Sequence, residues 1–374
     1  MEMHMDEVPP RPRASGLEGV IAAETRLSAV DGTAGRLVIA GRPVEALVRE
    51  VTFPGACALL LGGDAGAVAT QLGAARAATH ARLGDLGVAL DQPDPMDALA
   101  AAAAQLRPRG EGVDAAHALV GSFPVIVGAW ARGRRREAAQ RPDPRASHAE
   151  DALRLLHGRA PSPAEANALD AYWVTVIDHG LNASTFAARV VASTGSDLSS
   201  AVIAALGALQ GPLHGGAPGP VLDMLDAIET PEHARAWLTR ELEAGRRIMG
   251  MGHRVYRVRD PRAAALEEAL RRMGGDHPRL ALARAVEREA EALLADRKPE
   301  RTLRANVEFA TATLLEGLAV PREAFTAFFA CGRVAGWCAH AQEQAATGRL
   351  LRPRARYVGD WPEPATASGH PPSM

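Results

Sequence analysis

Apolar residues in this chain recur mostly at helical spacing, and few stretches alternate with the period of a strand. Between residues 164 and 177, Leu169, Trp173 and Val176 fall on one side of a predicted helix. Leu282, Val286, Ala290, Leu293 and Leu294 form a second stripe, opposite Arg284, Glu287, Arg288 and Glu291. Asp260 followed by Pro261 reads as an N-cap and first helical residue. Leu266, Leu270 and Met273 then carry the pattern to the stop signal Gly274-Gly275. Beyond Pro321, Phe325, Phe329, Arg333 and Trp337 recur every four residues. The only strand signal lies around Arg36 to Ile39, bounded by Gly32, Gly35 and Gly41. Loops are expected over residues 107–113 and 133–147. This pattern predicts an all-α protein.

Composition bounds the picture. A chain of 374 residues with 47% hydrophobic content can bury one large core or two ordinary ones. No repeat is visible, residues 1–16 read as a flexible leader, and the Pro-rich residues 360–374 read as a flexible tail. The net charge of -2 gives no reason to expect nucleic acid or an anionic membrane as partner. Arg134-Arg135-Arg136 reads as a solvated loop. The longest apolar run, residues 118–131, contains Ser122 and Pro124 and falls short of the roughly 20 residues a spanning helix needs, so no membrane segment is expected. The N-terminus lacks the apolar centre of a secretion signal. Cys57, Cys331 and Cys338 are too few and scattered for a disulfide framework, which suits a reducing cytoplasm. Cys331 and Cys338 share one helical face, and core packing is the expected reason.

Several chemistries are excluded by residue type. Lys298 is the only lysine, so no Walker phosphate loop exists, and its polar surroundings suit Schiff-base chemistry poorly. Serine hydrolase and zinc protease patterns are absent; His148 and His157 lack a ligand-like frame and read as ordinary surface residues. Gly250 and Gly252 are too weak a pattern for a dinucleotide fingerprint.

What stands out is the segment Gly252-His253-Arg254-Val255-Tyr256-Arg257-Val258-Arg259-Asp260-Pro261-Arg262, which crowds imidazole and guanidinium groups at a helix start. Arg262 falls in the first helical turn, where a cation opposes the macrodipole unless an anion also sits there. His214 lies in a second, glycine-rich turn, Gly211-Pro212-Leu213-His214-Gly215-Gly216-Ala217. Arg333, in its aromatic row, needs an anionic partner if buried: either a core carboxylate or a substrate.

The two histidine segments, with Asn306-Val307-Glu308-Phe309, resemble the motifs of the citrate synthase family. Asp178-His179-Gly180-Leu181-Asn182-Ala183-Ser184, Gly332-Arg333-Val334-Ala335-Gly336-Trp337 and Arg352-Pro353-Arg354 extend the resemblance from about Leu17 to Gly359. It implies an almost wholly helical homodimer, with a large domain (17–216 and 320–359), a small domain (217–319), a hinge at 215–219 and the site in the cleft. The implied reaction joins the methyl carbon of acetyl-CoA to oxaloacetate and hydrolyses the thioester to citrate and CoA. The resemblance makes Glu308 the base, His214 the hydrogen-bond donor to the thioester oxygen and His253 the group that polarises the ketone. It places Arg262, Arg333 and Arg352 on the carboxylates, Arg352 from the partner subunit, with His179 as a further donor. Ile248, Met249, Gly250, Met251 and Gly252 would hold the adenine end of CoA. No metal or other cofactor is implied.

The chain departs from the family at Glu308, where Asp is usual. A displacement on the order of 1 Å can cost roughly a hundredfold in rate. Asp94 likewise begins a Pro-Met-Asp sequence where His is common, and no catalytic part is assigned to it. Two other readings stand beside citrate synthase: a 2-methylcitrate synthase using propionyl-CoA, and a weakly active or non-catalytic paralogue that binds CoA or a dicarboxylate.

Overall fold

A computed structural model describes residues 17, 19–108, 112–215, 218–252, 256, 258–274, 278–297, 303–355 and 359. The leader and tail expected at the two ends, residues 1–16 and 360–374, lie outside the described residues.

A small antiparallel sheet comes first. β1 (Ser28–Asp31) pairs with β2 (Arg36–Ile39), which pairs with β3 (Arg42–Pro43). Asp31 closes the turn by accepting from the Thr33 and Ala34 amides at 3.0 and 2.9 Å. Leu37 and Ile39 reach the core, which is the alternation that made β2 legible. β1 has no fully buried position and left no comparable signal.

Helices follow: α1 (Val44–Glu50), α2 (Phe53–Leu61), α3 (Ala65–Ala81), α4 (Gly87–Leu90), α5 (Pro95–Leu106) and α6 (Gly112–Arg134). Asp94 caps α5 through the Met96 amide at 2.7 Å, a structural use for the residue left without a catalytic part. By length and apolarity α6 could cross a membrane, yet it is mostly buried and packs against α3, α5 and later helices. Its glycines explain the fit: a methyl at Gly121 would come within 2.5 Å of Ala75, and one at Gly128 within 3.0 Å of Leu155. A helix so enclosed is a core helix of this fold.

α7 (His148–His157) and α8 (Pro163–Val176) come next, α8 starting in a Ser162/Glu165 capping box. His148 is a core residue and not the surface residue expected. Its ring is buried, stacks on Phe53 at 5.5 Å, and accepts a hydrogen bond at Nδ1 from Arg76 at 2.8 Å, while Arg76 also pairs with buried Asp151 at 2.6 Å. His157 is partly buried too, 3.0 Å from the Leu318 carbonyl. The partners are remote in sequence, so local context could not reveal them.

The rest is α9 (Ala183–Ala192), α10 (Leu198–Gln210), α11 (Pro218–Ile228), α12 (Ala234–Glu243), α13 (Pro261–Gly274), α14 (Pro278–Arg297), α15 (Glu308–Gly317) and α16 (Phe325–Thr347). The expected apolar stripe of α14 is buried. Its opposite face is less solvated than expected: Glu287 binds Arg259 at 2.7 Å, Glu291 binds Arg304 at 2.7 Å and Arg284 reaches Glu267 at 3.1 Å. α16 runs through the centre against α2, α6, α8, α9 and α10. Gly332 and Gly336 let it approach α8; a methyl at Gly332 would stand 2.7 Å from Trp173. Cys331 and Cys338 are buried on α16, and all three cysteines are free.

Candidate active site

A cavity of about 1040 Å³ opens where β1, the C-terminal end of α8, the loops around α9 and α10, and the starts of α13 and α15 meet the side of α16. That volume suits a ligand larger than most drugs. Its wall includes His179, His214, Arg262, Glu308 and Arg333, together with residues 248–252. Most of the candidate set from six separated segments thus shares one space. His253 lies outside the described residues. Arg352 is exposed and is not part of the cavity wall in the single chain.

His214 sits in a tight turn after α10, held by hydrogen bonds from its own amide to Gly211 and from Gly215 to Leu209, both 2.9 Å. A methyl at Gly215 would come within 2.5 Å of the Leu209 carbonyl, so the glycine permits the close turn. The ring meets Phe329 edge-on at 6.3 Å, and its Nε2 lies 2.8 Å from the Ser184 hydroxyl. Ser184 gives its only proton to Asn182 Oδ1 at 2.8 Å and accepts from Trp337 Nε1 at 3.1 Å. In this arrangement Ser184 also accepts from His214, which places the imidazole proton on Nε2. Burial, and then the Arg333 charge, pull the His214 pKa down to about 4, so the ring is neutral.

Arg262 and Arg333 supply positive charge by different means. Asp260 caps α13 through the Arg262 amide at 3.0 Å and binds the same guanidinium at Nε and Nη2, at 2.9 and 2.7 Å. The anion expected at this helix start is therefore present within the chain. Burial disfavours the Arg262 charge, but Asp260 more than offsets that and raises the net pKa. Arg333, 1% exposed, has no salt-bridge partner among the described residues. It donates through Nε to the Val176 carbonyl and lies 4.7 Å over the Phe329 ring. Burial lowers its pKa to about 10, with the charge of Arg262 acting in the same direction and that of Asp178 against it.

Glu308 opens α15. Its backbone is positioned by a short antiparallel ladder: Met251 pairs with Ala305, Asn306 donates to Gly250 at 2.9 Å, and Gly252 donates to Arg304 at 2.7 Å. Gly250 has φ +72° and faces Phe309, which a methyl group would meet at 2.6 Å. This approach holds residues 248–252 against the start of α15. Burial pushes the Glu308 carboxyl up to about 7; Arg262 and Arg333 oppose the shift and Asp260 adds to it. A carboxyl poised near neutrality can take or return a proton at working pH.

His179 completes the set, 3.1 Å from the Tyr256 hydroxyl and edge-on to its ring. Next to it, buried Asp178 pairs with His340 at 3.1 Å, and Gly180 donates to Ser28 of β1 at 2.9 Å. Three contributors escaped sequence reading: Asp260 as a partner rather than only a cap, Trp337 as a donor to Ser184, and Tyr172 on the cavity wall. An Asp two residues before an Arg was a usable signal for the first. The other two sit in apolar helical rows where an aromatic reads simply as core.

The sequence matches the family described as "Citrate synthase, C-terminal domain" over residues 16–354. The chain belongs to the citrate synthase family. It is an enzyme, a transferase of that type. A citrate synthase from Haloferax volcanii is 37% identical, with 92% of this chain and 95% of that protein covered. A 2-methylcitrate synthase from Shewanella oneidensis is 34% identical over 92% and 94% of the two chains. Among solved structures, citrate synthase from Thermoplasma acidophilum, in a ternary complex with carboxymethyl coenzyme A and oxaloacetate, is similar with a TM-score of 0.83 and 27% identity, covering 94% of this chain and 97% of that one.

Proposed function

We propose that this chain condenses acetyl-CoA with oxaloacetate and hydrolyses the resulting thioester, releasing citrate and free CoA. The observation that carries this reading is Arg333: a buried guanidinium with no carboxylate partner among the described residues, on the wall of a cavity shared with a neutral imidazole and a near-neutral carboxyl. An unpaired buried charge costs several kcal/mol, on the order known for buried ions, and a dicarboxylate substrate would offset that cost.

In this reading Glu308 removes a proton from the methyl group of acetyl-CoA, and His214 hydrogen-bonds the thioester oxygen as enolate charge develops. Donation from Nδ1 requires Ser184 to turn its proton from Asn182 to His214 Nε2, a change within the observed network. The nucleophilic methyl carbon then forms a bond to the ketone carbon of oxaloacetate, and the ketone oxygen takes up a proton. Water cleaves the thioester and CoA leaves as the thiol. His253 polarises the ketone, Arg262, Arg333 and His179 hold the carboxylates, and residues 248–252 hold the adenine end of CoA. Arg352 completes the site from a second copy in a homodimer, consistent with its position away from this chain's own cavity. Closure about residues 215–219 would bring the small domain, 217–319, over the substrates. The chemistry needs no metal or redox cofactor, and the free cysteines suit a cytoplasmic enzyme.

Thiol release from acetyl-CoA and from propionyl-CoA, each with oxaloacetate, tests the reading in the native chain, Glu308→Asp and Glu308→Gln. Turnover with acetyl-CoA that is lost in the Gln variant supports it. Preference for propionyl-CoA makes the chain a 2-methylcitrate synthase; the extra methylene is worth only about 1–3 kcal/mol in an apolar pocket. Saturable binding with no thiol release from either substrate points to a non-catalytic paralogue.

A further inference from the structure

Tyr172 stands on α8 in the cavity wall, on the helix that adjoins α13, α15 and α16. Its side chain is 0% exposed, and its hydroxyl has no hydrogen-bond partner among the described residues. A buried polar group left unpaired is destabilising, so one beside a site calls for an explanation. Burial, then the charge of Glu308, keep the phenol protonated, with Arg333 and Arg262 acting against them. The hydroxyl is therefore available as a donor.

Its proton needs an acceptor. The charged groups around it are Arg262 from the α13 end, Glu308 of α15 and Arg333 of α16, with the Cys331 thiol also near, and Asp260 acts on Glu308. Both arginines are donors only, and Asp260 is engaged with Arg262. The Glu308 carboxylate has no hydrogen-bond partner among the described residues, although its own amide is held by Asn306. Two complementary groups, each without a partner, thus belong to residues that line the same cavity. We propose that Tyr172 is a positioning residue whose hydroxyl donates to the ionised Glu308 carboxylate in the substrate-bound enzyme, a contact that uses the extra methylene distinguishing this chain's base from Asp. The inference rests on Glu308 being the base.

The test uses Tyr172→Phe in the full-length enzyme, alone and with Glu308→Asp, and Glu308→Gln as the control. A hydrogen bond to a charged group is worth about one pH unit or more, so the acid limb of the kcat profile should move up by that amount. At pH 7 kcat should fall about fivefold or more and recover toward the native value in alkali, while KM for oxaloacetate stays within about twofold. In the Glu308→Asp background the same change should cost nothing further. The free enzyme should keep or raise its Tm, because the hydroxyl removed has no partner there. An unmoved acid limb overturns the proposal, as does a fall in Tm of several degrees, which would show that the hydroxyl is already bonded. A raised KM for oxaloacetate with an unchanged pH profile overturns it in favour of a direct substrate contact. An active Glu308→Gln enzyme removes the base assignment itself; an inactive one beside an unaffected Tyr172→Phe removes only the positioning role.

Discussion

Asn306 ties Gly252 to Glu308: its side-chain nitrogen donates to the Gly252 carbonyl at 3.2 Å, while its Oδ1 accepts from the Glu308 amide at 2.9 Å. One amide side chain thus fixes the glycine segment and holds the first amide of the helix that carries the base. Asn306→Ala should cost about 1–2 kcal/mol of stability, the range for losing side-chain hydrogen bonds to backbone. It should also lower kcat more than Asn306→Asp does, since aspartate keeps the acceptor for the Glu308 amide. Thermal unfolding and steady-state turnover of the two variants check this, and equal kcat values would discount the contact to the Glu308 amide.

Arg333 offers a test that separates binding from folding. In the free enzyme its charge is buried without a salt bridge among the described residues, held by the Val176 carbonyl and the Phe329 ring. Arg333→Met keeps much of the packing and removes the charge, so the free enzyme should be as stable as the native one or more so. The affinity for oxaloacetate should fall by at least about 2 kcal/mol, the low end for losing a buried charge pair. Calorimetric titration with oxaloacetate beside thermal unfolding gives both readouts. Unchanged oxaloacetate affinity would reassign the arginine to the core.

The same residue shows how far the sequence could be read. A single guanidinium in a row of four-residue spacing with Phe325, Phe329 and Trp337 signalled a buried charge, because helical periodicity is local and the anomaly lies within it. α13, with its Asp-Pro start and Gly stop, was legible for the same reason. Relationships across long sequence separations were not. The bond from Trp337 to Ser184 spans 153 residues and that between His148 and Arg76 spans 72, and neither residue alone shows a need for the other. Tyr172 was hidden in an apolar helix beside Trp173, where only the packed structure shows that its hydroxyl lacks a partner. The motif resemblance gathered most of the site, but the electrostatics that set Glu308 and His214 needed the fold.

His148 predicts part of the acid sensitivity of the fold. Arg76 donates to its Nδ1, so the neutral ring carries its proton on Nε2, where no partner stands among the described residues. Burial, followed by the Arg76 charge, holds its pKa well below the ordinary value. As pH falls below about 6.5 the unfolded chain takes up a proton here that the folded chain refuses, and stability drops. His148→Asn should flatten that decline between pH 6.5 and 5 by up to about 1.4 kcal/mol per pH unit, one proton's worth. Urea unfolding at stepped pH measures the slope. Parallel slopes for the two proteins would mean that His148 is protonated in the folded state.

Glu308 acts in the opposite sense and links stability to catalysis. Its folded pKa of about 7 lies above the ordinary 4.5, with burial as the main cause. Between those values the folded protein keeps a proton that the unfolded chain has released. The resulting stabilisation, measured against the ionised state, is present at low pH and is lost as pH rises through about 7. Activity should run the other way, since only the ionised carboxylate can accept the methyl proton; the acid limb of kcat/KM in the free enzyme is expected near pH 7. Glu308→Gln removes the titration. Relative to the native chain it should gain stability as pH is raised from 5 to 8, by at most about 3 kcal/mol from the linkage relation and less where the cavity is wet. Denaturant unfolding of both proteins at pH 5 and pH 8, beside the native pH–rate profile, tests the pair of expectations together. A stability difference that does not change with pH would show that the carboxyl titrates normally, and the base would then need another source of its strength.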